Sequence, residues 1–220
     1  FLLSCLMLAA MPVMAAYTGH VYVDKNKNGV FDQSEKPLAG IKVSDGLNVV
    51  ETAADGSFTL PGHERERFIF ITTPSGYKTF NRHYHKIEKK QSGYDFGLIP
   101  YSGRIRKDGS HRYIHITDTE IFNTENHADW VNNVHDYARN EQAAFIIHTG
   151  DICYEKGLKA HIKLMNTENM DCPVFYCIGN HDLVKGKYGE ELFESIYGPV
   201  YYSFDAGNVH YVVTPMPGGD

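Results

Sequence analysis

Apolar and polar positions alternate with a period of two through the stretch 17–98. The short runs 20–23, 41–43, 49–52, 57–60, 68–72 and 94–98 are separated by Asn28-Gly29, Asp45-Gly46, Asp55-Gly56, Pro61-Gly62 and Ser75-Gly76. These dipeptides supply turn backbone and no helix-length apolar stripe occurs between them, so the pattern predicts a small antiparallel β-sandwich. Residues 99–111 are polar and contain two glycines, which reads as an interdomain linker. Beyond it the grammar changes. Residues 113–117, 144–149 and 174–178 are near-continuous apolar runs ending in polar residues, as buried parallel strands are. Trp130, Val131, Val134, Tyr137 and Ala138 recur at helical spacing between the first two, and Leu158, Ile162 and Met165 between the second and third. A helix at 190–197 and a hairpin around Gly207-Asn208 follow. The order β-α-β-α-β predicts an α/β layer for 112–220.

The first 16 residues are almost wholly apolar: Ser4 is their one polar side chain, and no charge appears before Asp24. Val13-Met14-Ala15 suits signal peptidase, so 1–16 is expected to be a partial signal peptide that leaves a chain starting near Tyr17. That makes the protein exported, whether periplasmic, secreted or on the cell surface. Contact with a membrane is expected only through this leader, as signal or anchor, or through a lipid on Cys5. Cys153, Cys172 and Cys177 then remain, an odd set wrongly spaced for a zinc ribbon and best read as buried thiols. An apolar content of 42% excludes disorder, and a formal charge of -6 without a basic block gives no nucleic-acid-binding signature.

Chemistry gathers where the three apolar runs end. Asp118-Thr119-Glu120 follows the first, Gly150-Asp151 the second and Gly179-Asn180-His181-Asp182 the third. Asp151 lies 33 residues after Asp118 and Asn180 lies 29 after Asp151, each about one βαβ repeat, so all three should meet at the carboxyl ends of adjacent parallel strands. Carboxylates with an amide oxygen and an imidazole make a hard-donor site for divalent ions such as Mn, Fe, Zn or Mg, and paired ions suit phosphoryl transfer. His115 and His148, each three residues before a strand-end Asp, are expected to be buried and hydrogen-bonded.

A second motif lies in the sandwich. Asp24, Asn26, Asn28, Asp32 and Glu35 occupy positions 1, 3, 5, 9 and 12 of a calcium-loop pattern whose sixth position is Gly29. Its flanks read as strands, not the helices of an EF-hand. The loop is either a calcium site or an Asn- and Asp-rich turn without an ion.

The phrases YIHITDTE, FIIHTGDICY, YCIGNHD and YGPVYYSFDAGNVHYVV resemble the calcineurin-like metallophosphoesterase family over roughly 112–213. KPLAGIKVSDG with TAADGSFTL resembles transthyretin-like sandwiches and the B-type repeats of surface adhesins, whose calcium loops 24–35 would match. The first resemblance implies the front half of a four-layer α/β/β/α sandwich and two divalent metal ions. It implies Asp118 on the first metal, Asp151 bridging both and Asn180 on the second. His181 would face the substrate as acid or transition-state donor, oriented by Asp182. Glu120 stands where that family has the His of D-x-H, and a third carboxylate favours ions harder than zinc. The family's later motifs, a lone His and G-H-x-H, do not occur before Asp220, so the chain is expected to be C-terminally incomplete and inactive alone. The expected partner is a phosphate ester, from the cell envelope if the protein is exported. The alternative is a secreted binding protein that keeps the fold with a degenerate centre.

Overall fold

The computed structural model describes residues 16–102, 104–121 and 127–215. The expected leader therefore lies outside the described residues except for Ala16, which already pairs with Pro61 in a strand. The β-rich part runs β1 (Ala16–Val23), β2 (Lys36–Pro37), β3 (Lys42–Ser44), β4 (Val49–Glu51), β5 (Ser57–Pro61), β6 (Phe68–Ile71), β7 (Tyr77–Thr79), β8 (Tyr84–Lys86) and β9 (Phe96–Pro100). Two sheets result: β2-β1-β9-β7 with β5 on β1, and β4-β3-β6-β8. Alternation fills the space between them. Phe58 and Leu60 of β5 point inward with Val21, Val43, Ile69, Ile71, Phe96 and Leu98, and burying each such side chain contributes about 1.5–3 kcal/mol.

The expected sandwich forms with two differences. It is not wholly antiparallel, because β9 enters between β1 and β7 and runs parallel to β1. The short strands β2, β7 and β8 carry no apolar run, and neighbouring strands impose their pairing. β9 also extends through Pro100, two residues into the stretch read as linker.

The second unit follows the expected order: β10 (Tyr113–Ile116), α1 (His127–Asn140), β11 (Phe145–His148), α2 (Glu155–Leu164), β12 (Val174–Tyr176), α3 (Glu191–Tyr197) and the hairpin β13 (Tyr202–Ala206) with β14 (Val209–Val213). β10, β11 and β12 are parallel and pair in that order. Successive side chains leave opposite faces of this sheet. Ile146 and Val174 meet Val131 and Ala138 of α1, while Phe145 and Phe175 meet the hairpin, with the Phe175 and Phe204 rings stacked 3.6 Å apart. Helices, parallel sheet and hairpin are the layers present among the described residues. No helix among them is long and apolar enough to cross a membrane.

β6 is buried at all four residues because both its faces are covered. Ile69 and Ile71 serve the sandwich core, whereas Phe68 and Phe70 join Tyr84 against Phe145, Phe175 and Phe204 of the α/β unit. Asp205 N–H donates to Thr73 O at 2.8 Å, continuing backbone pairing across the same junction. Among the described residues β10, by contrast, lies at the edge of its sheet, with Tyr113 and His115 exposed, and is not fully buried. Cys153 and Cys172 are buried free thiols, and Cys177 is half-buried.

Candidate metal centre

Parallel, in-register pairing sets Ile116 beside His148 and His148 beside Tyr176, so the three following segments emerge side by side. Backbone hydrogen bonds carry the pairing past the strands: Asp118 N–H to Gly150 O at 3.1 Å, Glu120 N–H to Asp151 O at 3.1 Å and Ile121 N–H to Ile152 O at 2.8 Å. Asp118, Glu120, Asp151, Cys153 and Tyr154 all hold positive φ, between 42° and 88°. Each such residue costs on the order of 1–3 kcal/mol, and strain of this kind concentrates where side chains must be aimed.

Two glycines allow the loops to meet. A Cβ on Gly179 would stand 2.2 Å from Asp151 Oδ1, and one on Gly150 would stand 2.4 Å from the nitrogen of Gly179. Gly179 keeps an ordinary φ of -110°, so space alone demands glycine there.

Asp151 Oδ1 accepts the His181 N–H at 3.0 Å, and its Oδ2 lies 4.0 Å from His181 Nδ1. Glu120 Oε1 approaches the same Nδ1 at 3.4 Å. That nitrogen is shielded from solvent yet has no hydrogen-bond partner among the described residues. Glu120, Asp151 and His181 are thus brought together. Asp118, exposed, takes a hydrogen bond from the Thr117 hydroxyl. Asn180 is exposed and opens a 3-10 turn over Asn180–Asp182.

Asp182 behaves differently from its expected part. Its carboxylate is fully buried and accepts N–H groups from Cys153 at 2.9 Å and Gly179 at 2.9 Å, so it is committed to backbone instead of the His181 ring. Burial raises its pKa while those two donors pull it back. It braces the loops after β11 and β12 against each other, which makes it a positioning residue.

His148 is buried and hydrogen-bonded as expected: its Nδ1 accepts Gly150 N–H at 3.2 Å, and Nε2 meets the Thr119 hydroxyl at 2.9 Å. Burial pushes its pKa down to about 4. His115 departs from expectation. It is exposed on the edge strand, with Nε2 2.7 Å from the Thr149 hydroxyl. Sequence reasoning missed His161, wholly buried in α2, its Nδ1 3.1 Å from the Tyr197 hydroxyl and its ring against His148. Its position three after Leu158 marked it as facing inward.

In the sandwich, Asp24, Asn26, Asn28, Asp32 and Glu35 form one loop between β1 and β2. A further cluster went unread: donor atoms of Asp45, His63 and Glu66 lie within 4.8 Å of one another. His63 and Glu66 share the turn between β5 and β6, and Asp45 comes from the turn after β3. The His63 ring accepts Arg65 N–H at Nδ1, which leaves the proton on Nε2, 3.4 Å from Asp45 Oδ1. Glu66 takes the Tyr17 hydroxyl and the His63 N–H. The geometry is that of a turn-locking network.

A family model for the N terminal of calcineurin-like phosphoesterases matches residues 25–100, which covers most of the sandwich. A model for calcineurin-like phosphoesterase matches residues 111–219, the whole α/β unit with its three strand-end motifs. No curated protein matches the chain closely enough to serve as a relative. With both parts matched in order, the chain belongs to the calcineurin-like phosphoesterases, a family of metal-dependent hydrolases of phosphate esters.

Proposed function

We propose that the protein hydrolyses a phosphate ester at the strand-end crevice, with Asp118, Glu120, Asp151 and Asn180 holding two divalent cations. The observation that carries this reading is the approach of both Glu120 and Asp151 to His181 Nδ1, a nitrogen that makes no hydrogen bond among the described residues. The donor set fits hard divalent ions, since it is carboxylate and amide oxygen, and no Lys or Arg among the described residues pairs with Asp118, Glu120 or Asp151. When bound, such cations supply Lewis acidity toward phosphate oxygens and lower the pKa of water.

Asp151, from the middle strand, would be shared by the two cations, which Asp118 and Glu120 after β10 and Asn180 after β12 would help to hold. His181 donates a proton to the leaving oxygen of the ester, and the Asp151 bond to its backbone N–H fixes where the ring starts. Asp182 and the glycine pair set the loop spacing on which both depend. The apolar stretch 1–16 supports export of the protein, and a phosphate ester of the cell envelope is the substrate class that export would present.

Hydrolysis of an aryl phosphate ester tests the reading. Activity should vanish on exhaustive chelation and return best with Mn. Turnover that survives chelation would sink it.

A further inference from the structure

We propose that the loop 24–35 of the sandwich is a calcium site, separate from the phosphoesterase centre and independent of its chemistry. The loop is twelve residues long, and its ends are pinned because Val23 pairs with Lys36 and Tyr22 with Pro37. A closed strand pair thus does what two helices do around an EF-hand loop, holding the first and last ligand positions side by side. Asp24 and Glu35, at those positions, are buried at 1% and 7% exposure. Gly29, at the sixth, has φ 72°, the sharp turn that lets alternate side chains point inward.

The remaining donors converge. The side-chain amides of Asn26 and Asn28 both reach Asp32 Oδ2, at 2.7 and 3.1 Å. A half-turn of each amide replaces nitrogen by oxygen at that point and leaves three oxygens facing one another, an arrangement that a cation stabilises. The turn gives up four hydrogen bonds: both amide donations to Asp32, and those from Asn28 N–H to Asn26 Oδ1 and from Val30 N–H to Asn28 Oδ1. With Glu35 bidentate and the Val30 carbonyl at the seventh position, the set reaches seven oxygens, which suits calcium and exceeds the octahedron of magnesium.

An independent observation lies under the loop. Tyr22 is wholly buried, and its hydroxyl has no hydrogen-bond partner among the described residues. The hydroxyl stands 3.3 Å from the point where a Cβ of Gly97 would sit, and Asp24 Oδ2 stands 3.0 Å from the same point. Buried orphan hydroxyls are rare, and one aimed at an acidic loop marks the place of an ion with its water. Among the described residues, neither Lys25 nor Lys27 forms an ion pair that would neutralise the loop's three carboxylates.

The test is calcium titration of the chelator-stripped protein by calorimetry, with terbium luminescence sensitised through Tyr22 as a second readout. Asp24→Asn with Glu35→Gln should weaken calcium binding at least tenfold, while Asp118→Asn with Asp151→Asn should leave it unchanged. Calcium at a hundredfold excess over Kd should raise the Tm of the wild type by about 5 °C or more. Tyr22→Phe keeps every carboxylate, so if the double variant misfolds, loss of terbium luminescence with retained calcium binding in Tyr22→Phe still locates the ion. Calcium binding that follows the Asp118 and Asp151 variants instead, or a wild-type Tm indifferent to millimolar calcium, would overturn the proposal.

Discussion

The backbone N–H of His181 donates to Oδ1 of Asp151 at 3.0 Å, tying the turn after β12 to the carboxylate at the end of β11. The bond uses main chain on one side, so it survives any change of the His181 ring. His181→Ala should therefore lower turnover by about a hundredfold or more while metal content holds. Asp151→Asn should lose metal and activity together, because a neutral amide bridges two cations poorly. Metal analysis of both variants beside their kinetics checks this, and equal metal loss would make His181 a ligand.

Gly179→Ala is a purely steric probe. Its Cβ would press on Asp151 Oδ1 at 2.2 Å and on Asp151 N at 2.3 Å, so the β11 and β12 loops must part. A misplacement of about 1 Å costs on the order of a hundredfold in rate, and that loss is the expected outcome. Gly93→Ala is the control, since nothing lies within 4 Å of its Cβ. Similar kinetics for the two variants would contradict the close-packed reading.

Asp182→Ala leaves the N–H groups of Cys153 and Gly179 without their acceptor in a buried site. Destabilisation of roughly 2–4 kcal/mol is expected, with Asp182→Asn milder because one oxygen remains to accept. Denaturant midpoints decide the matter: an Ala variant within experimental error of wild type would show the two donors find other partners.

Arg67 reaches from the sandwich to Glu194 of α3 at 2.6 Å, and Glu194 is 3% exposed with a second donor in the Tyr188 hydroxyl. Removing the arginine strands a buried carboxylate. Because Arg67 itself is partly exposed, Arg67→Ala should cost about 2–3 kcal/mol, and adding Glu194→Gln should recover part of it. A double variant no more stable than the single one would count against the pair as a tie between the two units.

His148 stays neutral in the folded protein down to about pH 4, whereas unfolded histidine takes up its proton near 6.5. Its contribution is complete above pH 6.5 and is lost as the pH falls toward 4, by roughly 3 kcal/mol at most. His148→Gln should flatten that part of the stability profile. A profile with an unchanged slope would assign the acid sensitivity to other groups.

The sequence by itself determined the two-part grammar, the strand and helix order after residue 112 and the residues at each strand end. Those features rest on local periodicity: period two for half-buried strands, 3.6 for α1 and α2, and turn dipeptides between. Tertiary structure decided the rest. β9 is parallel to β1 because a crossover, not a hairpin, delivers it, and β6 is buried on both faces because the α/β unit covers Phe68 and Phe70. His115 is exposed although its run looked buried, since β10 lies at the sheet edge among the described residues. Asp182 braces backbone instead of the His181 ring because the donors of Cys153 and Gly179 reach its carboxylate only once β11 and β12 lie side by side. Spacing along a chain fixes which residues share a face or a loop; which atoms meet across loops depends on register, strain and the space two glycines leave.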